Sequence, residues 1–368
     1  MIITEAHLIY FSPTHTSKQV GEAIVHGTGA TNVLTTDLTL KPVEEMELPT
    51  SALAIVVVPV YGGHVAPLAM ERLENIRGTD TPVALVVVYG NRAYENALTE
   101  LDAFVLLNGF KVIAGATFIG EHSYSSTKYP IAAGRPDTHD LELAREFGKK
   151  LRIKVEAASC LETLYPVNLR SIPRPQQPFF PLFRFLRRVI KLRKSGVPLP
   201  RTPWLDDESL CTHCGVCVRH CPVGAIVKGD EVHTDAEKCI KCCACVKSCT
   251  QQARVYDEIY FNFIGKVTLP EEETEAAQEA PKTLHVASNS SFAPIGDYLS
   301  AQGEEAIALS FSKVEELTGK PLCKSAYKYA SYWYPAQDRP LSNTIYNAGY
   351  DVDRVDLAAG IVYLTKAA

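Results

Sequence analysis

Residues 52–67 read ALAIVVVPVYGGHVAP, and they join a continuous apolar run to a loop that contains two glycines. The run is rich in Val and lacks alternating polar side chains, which is typical of a strand buried on both faces of a parallel sheet. Further apolar runs of this kind lie at 7–11, 83–89 and 112–119, and amphipathic segments that end in glycine separate them, at 17–27, 67–78 and 93–109. This alternation predicts a doubly wound α/β sheet, in which ligands bind at the carboxyl ends of the strands.

The loops after three of these strands have compositions suited to a ligand. In the first, FSPTHTSKQV (11–20), a strand turns into a helix at a group of hydroxyls, those of Ser12, Thr14, Thr16 and Ser17. Hydroxyls and free N–H groups at a helix N-terminus favour a phosphate, although such residues also serve as ordinary helix caps. The loops 59–67 and 89–97 each combine an aromatic residue with glycine, which lets the backbone approach a flat ring. The sequence contains neither G-x-G-x-x-G nor G-K-S/T, so we predict neither a dinucleotide fingerprint nor a Walker loop.

Nine of the eleven cysteines lie between residues 211 and 250. They form two runs with the spacing C-x2-C-x2-C-x3-C, the first followed by Pro222 and the second by Thr250. This is the spacing of two-cluster bacterial ferredoxins, in which the fourth cysteine of each run binds the other cluster. It predicts one 4Fe-4S cluster on Cys211, Cys214, Cys217 and Cys249, and a second on Cys239, Cys242, Cys245 and Cys221. Structural zinc and disulfides fit this spacing less well, and Cys243 is interpreted as a packed neighbour that binds no iron.

Several motifs together resemble one family, the flavodoxin–ferredoxin fusion proteins of anaerobic bacteria known as EFR-type ferredoxins. They are YFSPTHTSK, PVYGGHVAP, VVVYGNRAYENAL, FIGEHSYS, YPIAAGRPD and the two cysteine runs, and the resemblance covers residues 7 to about 255. It implies an FMN-binding, flavodoxin-like domain followed by a small α+β ferredoxin-like domain with two 4Fe-4S clusters. His15 departs from the pattern, because flavodoxin phosphate loops usually have glycine at that place.

The resemblance also implies roles for individual residues. The FMN phosphate would be held by Ser12, Thr14, His15, Thr16 and Ser17. The ring system would lie between one group formed by Pro59, Tyr61, Gly62 and Gly63 and a second formed by Tyr89, Gly90, Asn91 and Tyr94. His122, in the GEHS segment after the last strand, is a tentative catalytic residue that supplies a proton when the flavin is reduced. A turn or helix cap is the alternative interpretation of GEHS.

Changes in composition divide the chain into five parts. We expect a flavodoxin-like domain (1–158), a basic, Pro-rich connector (159–204), a two-cluster ferredoxin domain (205–258), an acidic, solvated linker (259–282) and a small α+β domain (283–368). The connector has three open interpretations. It packs as a tether between the two redox domains, docks an acidic partner such as another ferredoxin, or lies on an anionic membrane surface through residues 179–194.

The last part resembles a family of small bacterial domains of unknown function. Its pattern predicts two short helices, a capping box formed by Ser312 and Glu315, a helix stop at Gly319 and a hairpin within 350–366. Its aromatic residues form either the core and rim of a small domain or a recognition surface for a protein or nucleic acid. These residues are Tyr327, Tyr329, Tyr332, Trp333 and Tyr334.

The whole chain has 368 residues, 46% apolar content and a net charge of −5. The charge argues against nucleic acid as a partner of the redox domains and leaves it open for the C-terminal domain. The sequence has neither an 18-residue apolar run nor an N-terminal signal pattern, so we expect a cytoplasmic protein without a transmembrane segment. Two functions follow: electron transfer between FMN, the clusters and a redox protein (a ferredoxin or a reductase), or a redox sensor whose flavin and clusters control binding by the C-terminal domain.

Overall fold

The computed structural model describes residues 5–158, 160–164, 167–175, 202–256, 275–277, 290–328, 330–333 and 339–366, with a few helical positions between 183 and 194. Most of the basic segment 179–194, and with it the proposed membrane contact, lies outside these residues. Among the described residues, no helix combines the length and apolar character needed to span a bilayer.

The N-terminal part alternates strands and helices as the sequence predicts. The strands are β1 (Glu5–Tyr10), β2 (Asn32–Asp37), β3 (Met46–Leu48), β4 (Leu53–Tyr61), β5 (His64–Val65), β6 (Ile76–Gly78), β7 (Thr81–Tyr89) and β8 (Phe110–Ile119). The helices are α1 (Thr16–Thr28), α2 (Pro67–Leu73), α3 (Ala97–Leu107) and α4 (Thr138–Ala157). Five of the strands form a parallel sheet in the order β2-β1-β4-β7-β8. This is the flavodoxin-like order of the doubly wound fold, which confirms the predicted fold class.

The central strands are buried on both faces because helices cover both sides of the sheet. On one face, residues such as Val56 and Val87 pack with α2 and α3. On the other, their neighbours Val57 and Val86 pack with α1 and α4. Helices α1 and α4 approach each other at a glycine, since a Cβ built on Gly148 would lie 2.1 Å from the Ile24 carbonyl oxygen.

Strand β2 was absent from the sequence prediction. Of its six residues only Thr36 is buried, and the apolar Val33 and Leu34 are exposed. An edge strand with so little burial shows neither the continuous apolar run of a central strand nor a regular alternation. Its pairing with β1 therefore leaves no signal in the periodicity of the sequence.

The cysteine region is built on a short antiparallel pair, β9 (Trp204–Leu205) with β10 (Arg254–Val255). Each cysteine run carries one helical turn, α5 (Val216–Arg219) and α6 (Ala244–Lys247). Between this region and the C-terminal domain, most of the acidic linker lies outside the described residues. However, β11 (Glu275–Ala277) pairs antiparallel with β8, where the sequence predicts solvated chain. The unpaired backbone of the edge strand β8 provides the partner for this pairing.

The C-terminal part forms a three-stranded antiparallel sheet in the order β12-β14-β13, with helices packed on it. Its elements are α7 (Ala293–Gln302), β12 (Ala306–Ser310), α8 (Phe311–Thr318), α9 (Lys324–Lys328), α10 (Pro340–Asn347), β13 (Tyr350–Asp356) and β14 (Ile361–Lys366). The predicted hairpin is present as β13 and β14, and Gly319 ends α8 with φ of 66° as predicted.

The predicted capping box was wrong by two residues. Helix α8 is capped by Ser310, whose Oγ accepts a hydrogen bond of 3.1 Å from the N–H of Lys313. Glu315 instead accepts hydrogen bonds from the Leu322 N–H and the Tyr327 hydroxyl. The reason is that Ser312 already lies inside the helical turn, where its hydroxyl contacts the Ser310 hydroxyl at 3.0 Å.

The aromatic residues of this domain divide between core and rim. Trp333 is fully buried, stacks on Phe311 at 4.3 Å and donates a hydrogen bond to the Ala326 carbonyl. Tyr332 is half-buried and Tyr327 is 47% exposed, while Tyr329 and Tyr334 lie outside the described residues. The interpretation as the core and rim of a small domain therefore accounts for the described members.

Candidate functional site

The loop between β1 and α1 has the geometry of an anion cradle. His15 adopts the left-handed conformation (φ 68°) directly before α1, which is the conformation that glycine takes most readily. The loop is fixed from within by Ser12, whose Oγ accepts a hydrogen bond of 3.0 Å from the N–H of Lys18. The neighbouring Ser17 is 1% exposed, and its Oγ has no hydrogen-bond partner among the described residues. A buried hydroxyl without a partner is costly, so this position fits a bound group that supplies an acceptor.

The loops after β4 and β7 meet beside this cradle. Gly62 (φ 64°) and Gly63 (φ 91°) turn β4 back into β5, and a Cβ on Gly63 would lie 2.8 Å from the carboxylate of Glu95. A Cβ on Gly90 would lie 2.4 Å from the ring of His122. The ring of His122 leaves no space for a side chain at Gly90, and the φ of 91° favours glycine at position 63. His122 itself lies directly against the third loop.

The predicted ring neighbours differ in their surroundings. Pro59 and Tyr61 are half-buried at the end of β4. Tyr89, at the end of β7, and Asn91, in the loop that follows, are buried. Tyr94, which was expected beside the ring, is also buried, and its hydroxyl donates to the carbonyls of Ile172 and Pro173. Its ring meets that of Tyr89 edge to face. Tyr94 thus joins the start of the connector to the core, where Val167, Leu169 and Ile172 are also buried.

His122 is held as a neutral ring. Burial, together with the positive charges of Lys247 and Arg92, lowers the pKa of His122 to about 4. Its Nδ1 is 3.1 Å from the backbone nitrogen of Tyr124, which donates to it. Since Nδ1 accepts, the ring proton resides on Nε2 in the neutral form. His122 therefore offers an N–H donor near neutral pH and is not a cationic acid.

The eight cysteines of the two runs line two separate cavities. One is lined by Cys221, Cys239, Cys242 and Cys245, together with Cys243, and the other by Cys211, Cys214, Cys217 and Cys249. Each cavity thus combines three spaced cysteines of one run with the fourth cysteine of the other run, and Cys243 is an additional lining residue of the first cavity. The described residues contain no group of three His, Cys, Asp or Glu side chains arranged to bind a single metal ion.

The two cavities differ in depth. Cys242 and Cys245 are buried, whereas Cys214 is exposed. Burial raises the pKa of Cys242 to about 12 and that of Cys245 to about 11, while the N–H of Val216 lowers the pKa of Cys214. Buried thiolates need a cation beside them, and bound iron provides one. We call the deeper set, with Cys242, the inner quartet and the set with Cys214 the outer quartet.

The inner quartet faces the carboxyl end of the parallel sheet. Cys242 and Cys243 lie close enough to Tyr61 to add to the effect of burial, which raises the pKa of Tyr61 well above its ordinary value. Cys243 is buried against Tyr256, and Tyr256 stacks on Tyr124 at 4.4 Å. An aromatic layer therefore separates the loop with His122 from the inner quartet.

Two charged residues hold the cysteine region against the carboxyl end of the sheet. Arg72 on α2 donates to the carbonyls of Leu38 and Thr39 and, at 2.7 Å, to the carbonyl of Pro222, the residue after Cys221. Lys247 on α6 pairs with Glu121 and donates to the Ser125 carbonyl at 2.7 Å. Burial opposes ionisation of Glu121, but hydrogen bonds from Lys247 and Gly134 outweigh it and lower the pKa of Glu121. The sequence analysis missed Arg72 and Lys247, because their partners are backbone groups or residues far away in the chain.

The C-terminal domain contacts the opposite edge of the sheet. β13 lies against the turn Leu161–Thr163, which follows α4. Arg339 faces Asp80, which directly precedes β7, and Asp102 on α3. Burial lowers the pKa of Arg339 to about 10 despite these two carboxylates. The described contacts of this domain are thus at the amino ends of the strands, away from the cysteines.

Comparison with known proteins matches two segments of the chain to family models. Residues 205–227 match the 4Fe-4S binding domain, and residues 292–367 match a domain of unknown function, DUF7662. The second match falls within the part of the chain for which the sequence indicates a small domain of unknown function.

Several solved structures are similar to the N-terminal part. A flavodoxin from the domain Archaea is 15% identical, with 41% of this chain and 99% of that chain covered and a TM-score of 0.28. A flavodoxin from Streptococcus pneumoniae TIGR4 is also 15% identical, with 41% and 99% covered and a TM-score of 0.30. Rubredoxin oxygen:oxidoreductase from Desulfovibrio gigas is 12% identical, with 42% and 37% covered and a TM-score of 0.31. The fold assignment rests on the strand order, and the chain combines this doubly wound sheet with a segment that matches the 4Fe-4S binding domain.

Proposed function

We propose that the chain is an electron-transfer protein that passes electrons between FMN, two 4Fe-4S clusters and an external redox protein, a ferredoxin or a reductase. The observation that carries this proposal is the position of the cysteine region against the carboxyl end of the sheet, where Arg72 donates to the carbonyl of Pro222 and Lys247 pairs with Glu121. In doubly wound folds this edge is where ligands bind. A flavin there would lie beside a cluster, as electron transfer between them requires.

For FMN, the residues of the cradle fit a phosphate. The N–H groups of the first turn of α1 have no acceptor within the helix, and the Oγ of Ser17 has none among the described residues. We assign the phosphate to Ser12, Thr14, His15, Thr16 and Ser17. The ring system is assigned to Pro59, Tyr61, Gly62 and Gly63 on one side and Tyr89, Gly90 and Asn91 on the other, with Tyr94 supporting Tyr89 from the core.

For the clusters, we assign the outer quartet to one and the inner quartet to the other. When bound, FMN exchanges one or two electrons and each cluster exchanges one, and the protein sets their distance and potential. His122 is neutral near pH 7, so its Nε2–H beside Gly90 would donate a hydrogen bond to the ring system and would not transfer its proton. The aromatic layer of Tyr124 and Tyr256 would lie between the flavin and the inner cluster.

The external partner would meet the outer quartet, because Cys214 is exposed there. A cytoplasmic location and the division of the chain into the five parts given above remain part of this proposal. The connector is assigned as a tether, since Leu169 and Ile172 are buried against the sheet and the Tyr94 hydroxyl holds the carbonyls of residues 172 and 173.

A redox sensor or adaptor is the second candidate function. It is favoured by the contact of β13 with the turn Leu161–Thr163, which connects the C-terminal domain to the flavodoxin-like domain without placing it between the redox centres. Deletion of residues 283–368 separates the two functions. Unchanged electron exchange between flavin and clusters, with loss of a bound partner, would favour the sensor.

The first test is a cofactor count on anaerobically purified protein. We expect one FMN with about eight iron and eight sulfide per chain, as two cubanes require. Cys242→Ser should remove about half of the iron and leave the flavin bound, whereas Cys160→Ser, outside both quartets, should leave both counts unchanged. Zinc in place of iron, or full iron in the Cys242→Ser protein, would contradict the assignment.

A further inference from the structure

The two cysteine runs are related by a constant offset in sequence, and one buried position differs sharply between them. Cys221 is followed four and five residues later by Ala225 and Ile226, and Cys249 at the same distances by Ala253 and Arg254. Ile226 is 3% exposed and Arg254 is 2% exposed. The second run therefore buries a guanidinium at the place where the first run buries an aliphatic side chain.

Arg254 is held by three acceptors. Its Nη1 donates to the Glu231 carbonyl at 2.6 Å, and its Nη2 donates to the Pro203 carbonyl at 3.1 Å and to the Thr234 hydroxyl. Its Nε has no hydrogen-bond partner among the described residues. The acceptors are two backbone carbonyls and a hydroxyl, so none of them neutralises the charge.

Arg254 lies between the cavities of the two quartets. Its side chain lines the cavity of the outer quartet, while Pro203 and Thr234, which it holds, line the cavity of the inner quartet. One fixed charge therefore lies between the two sets of cysteines.

One acidic residue lines the same region, and it has other partners. Glu231 is 2% exposed, and its carboxylate is bound by the His213 ring at 2.9 Å and by the Gly229 N–H at 3.1 Å. These groups lower the pKa of Glu231 to about 2, so it is ionised at neutral pH. Its negative charge adds to the field in the outer cavity but leaves the contribution of Arg254 in place.

We propose that Arg254 is a fixed positive charge that raises the reduction potential of the clusters. This inference rests on the proposed function, since it requires iron at the quartets. Reduction adds one electron to a cluster and no bond forms or breaks, so the added negative charge must be stabilised by charges already present. Arginine stays protonated at any relevant pH, and a buried charge acts more strongly than an exposed one. Arg254 thus acts on the clusters through its charge, by stabilising their reduced forms.

The test compares midpoint potentials, iron and sulfide in Arg254→Met, Arg254→Gln, Arg254→Lys and the exposed control Lys228→Met, by EPR-monitored redox titration of the full chain. In the neutral variants we expect a loss of at least tenfold in the one-electron reduction constant of one cluster, equivalent to about 59 mV towards more negative potential. In Arg254→Lys the midpoint potential should shift by less than half as much as in the neutral variants. The midpoint potentials of Lys228→Met should equal those of the unchanged protein.

Each outcome decides the proposal. Normal iron with unchanged potentials in either neutral variant would overturn it, as would loss of iron in all three Arg254 variants, because the role of Arg254 would then be structural. Loss of iron in both neutral variants with normal potentials in Arg254→Lys would support a need for the charge. Absence of iron from the unchanged protein would instead refute the proposed function.

Discussion

Replacing Arg72 by methionine removes the guanidinium that joins the sheet to the cysteine region while keeping much of the apolar stem. Arg72 is 7% exposed and donates three hydrogen bonds of 2.6 to 2.7 Å to the carbonyls of Leu38, Thr39 and Pro222. A buried acceptor left without a donor costs about 1–3 kcal/mol. Because three acceptors are affected and such losses are not additive, we expect the free energy of unfolding to fall by about 3–5 kcal/mol.

The assay is anaerobic urea unfolding followed by far-UV circular dichroism. Arg77→Met is the matched control, because Arg77 is exposed and makes one hydrogen bond of 3.3 Å to Asn108. Its effect should stay within about 0.5 kcal/mol, as for most surface substitutions. If Arg72→Met and Arg77→Met have the same urea midpoint, Arg72 does not carry the interface and the reasoning is wrong.

Three further predictions concern pH, helix capping and helix packing. Since burial lowers the pKa of His122 to about 4, unfolding takes up a proton as the pH falls below 6.5, and from pH 7.5 to 5.5 this costs at most about 1.3 kcal/mol of stability. Urea unfolding at both pH values should show that His122→Gln loses less stability between pH 7.5 and 5.5 than the unchanged protein. His233→Gln should lose more, because Asp230 raises the pKa of His233 and protonation of His233 therefore stabilises the folded state at the lower pH. Ser310→Ala should lower stability by about 1 kcal/mol and Ser312→Ala by less than about 0.5, since Ser310 is the cap; the reverse order would restore the capping box predicted from the sequence. Gly148→Ala should cost about 1–3 kcal/mol or more, because the new methyl group meets the Ile24 carbonyl, whereas Lys150→Ala on the exposed face of α4 should be nearly neutral. Equal urea midpoints for these two variants would mean that α1 and α4 can separate freely.

The sequence predicted the parts of the fold that depend on local pattern. The apolar runs of β1, β4, β7 and β8 and the cysteine spacing are repeated signals, because a buried strand and an iron site each need several residues of one kind. Strand β2 has no such signal, because its edge position leaves Val33 and Leu34 exposed. The cap of α8 was misplaced for a similar reason, since two serines within three residues offer the same local pattern.

The contacts between the two redox regions could not be predicted in this way. Lys247 lies 126 residues from its partner Glu121, and Arg72 donates to backbone carbonyls, which every residue has. Arg254 is different, because comparison of the two cysteine runs would have revealed a charged residue in an apolar place. Departures from an internal repeat are therefore a usable signal for functional residues.

The interface described by Arg72, Lys247, Tyr124 and Tyr256 also limits how the protein is assembled. It covers the carboxyl end of the sheet from several sides, with Arg72 near β2 and Lys247 near the segment after β8. Under the proposed function the flavin binds at this same edge, so we expect it to be inserted before the cysteine region closes over the sheet. The rate at which bound flavin exchanges with free flavin would then measure how often the two regions separate.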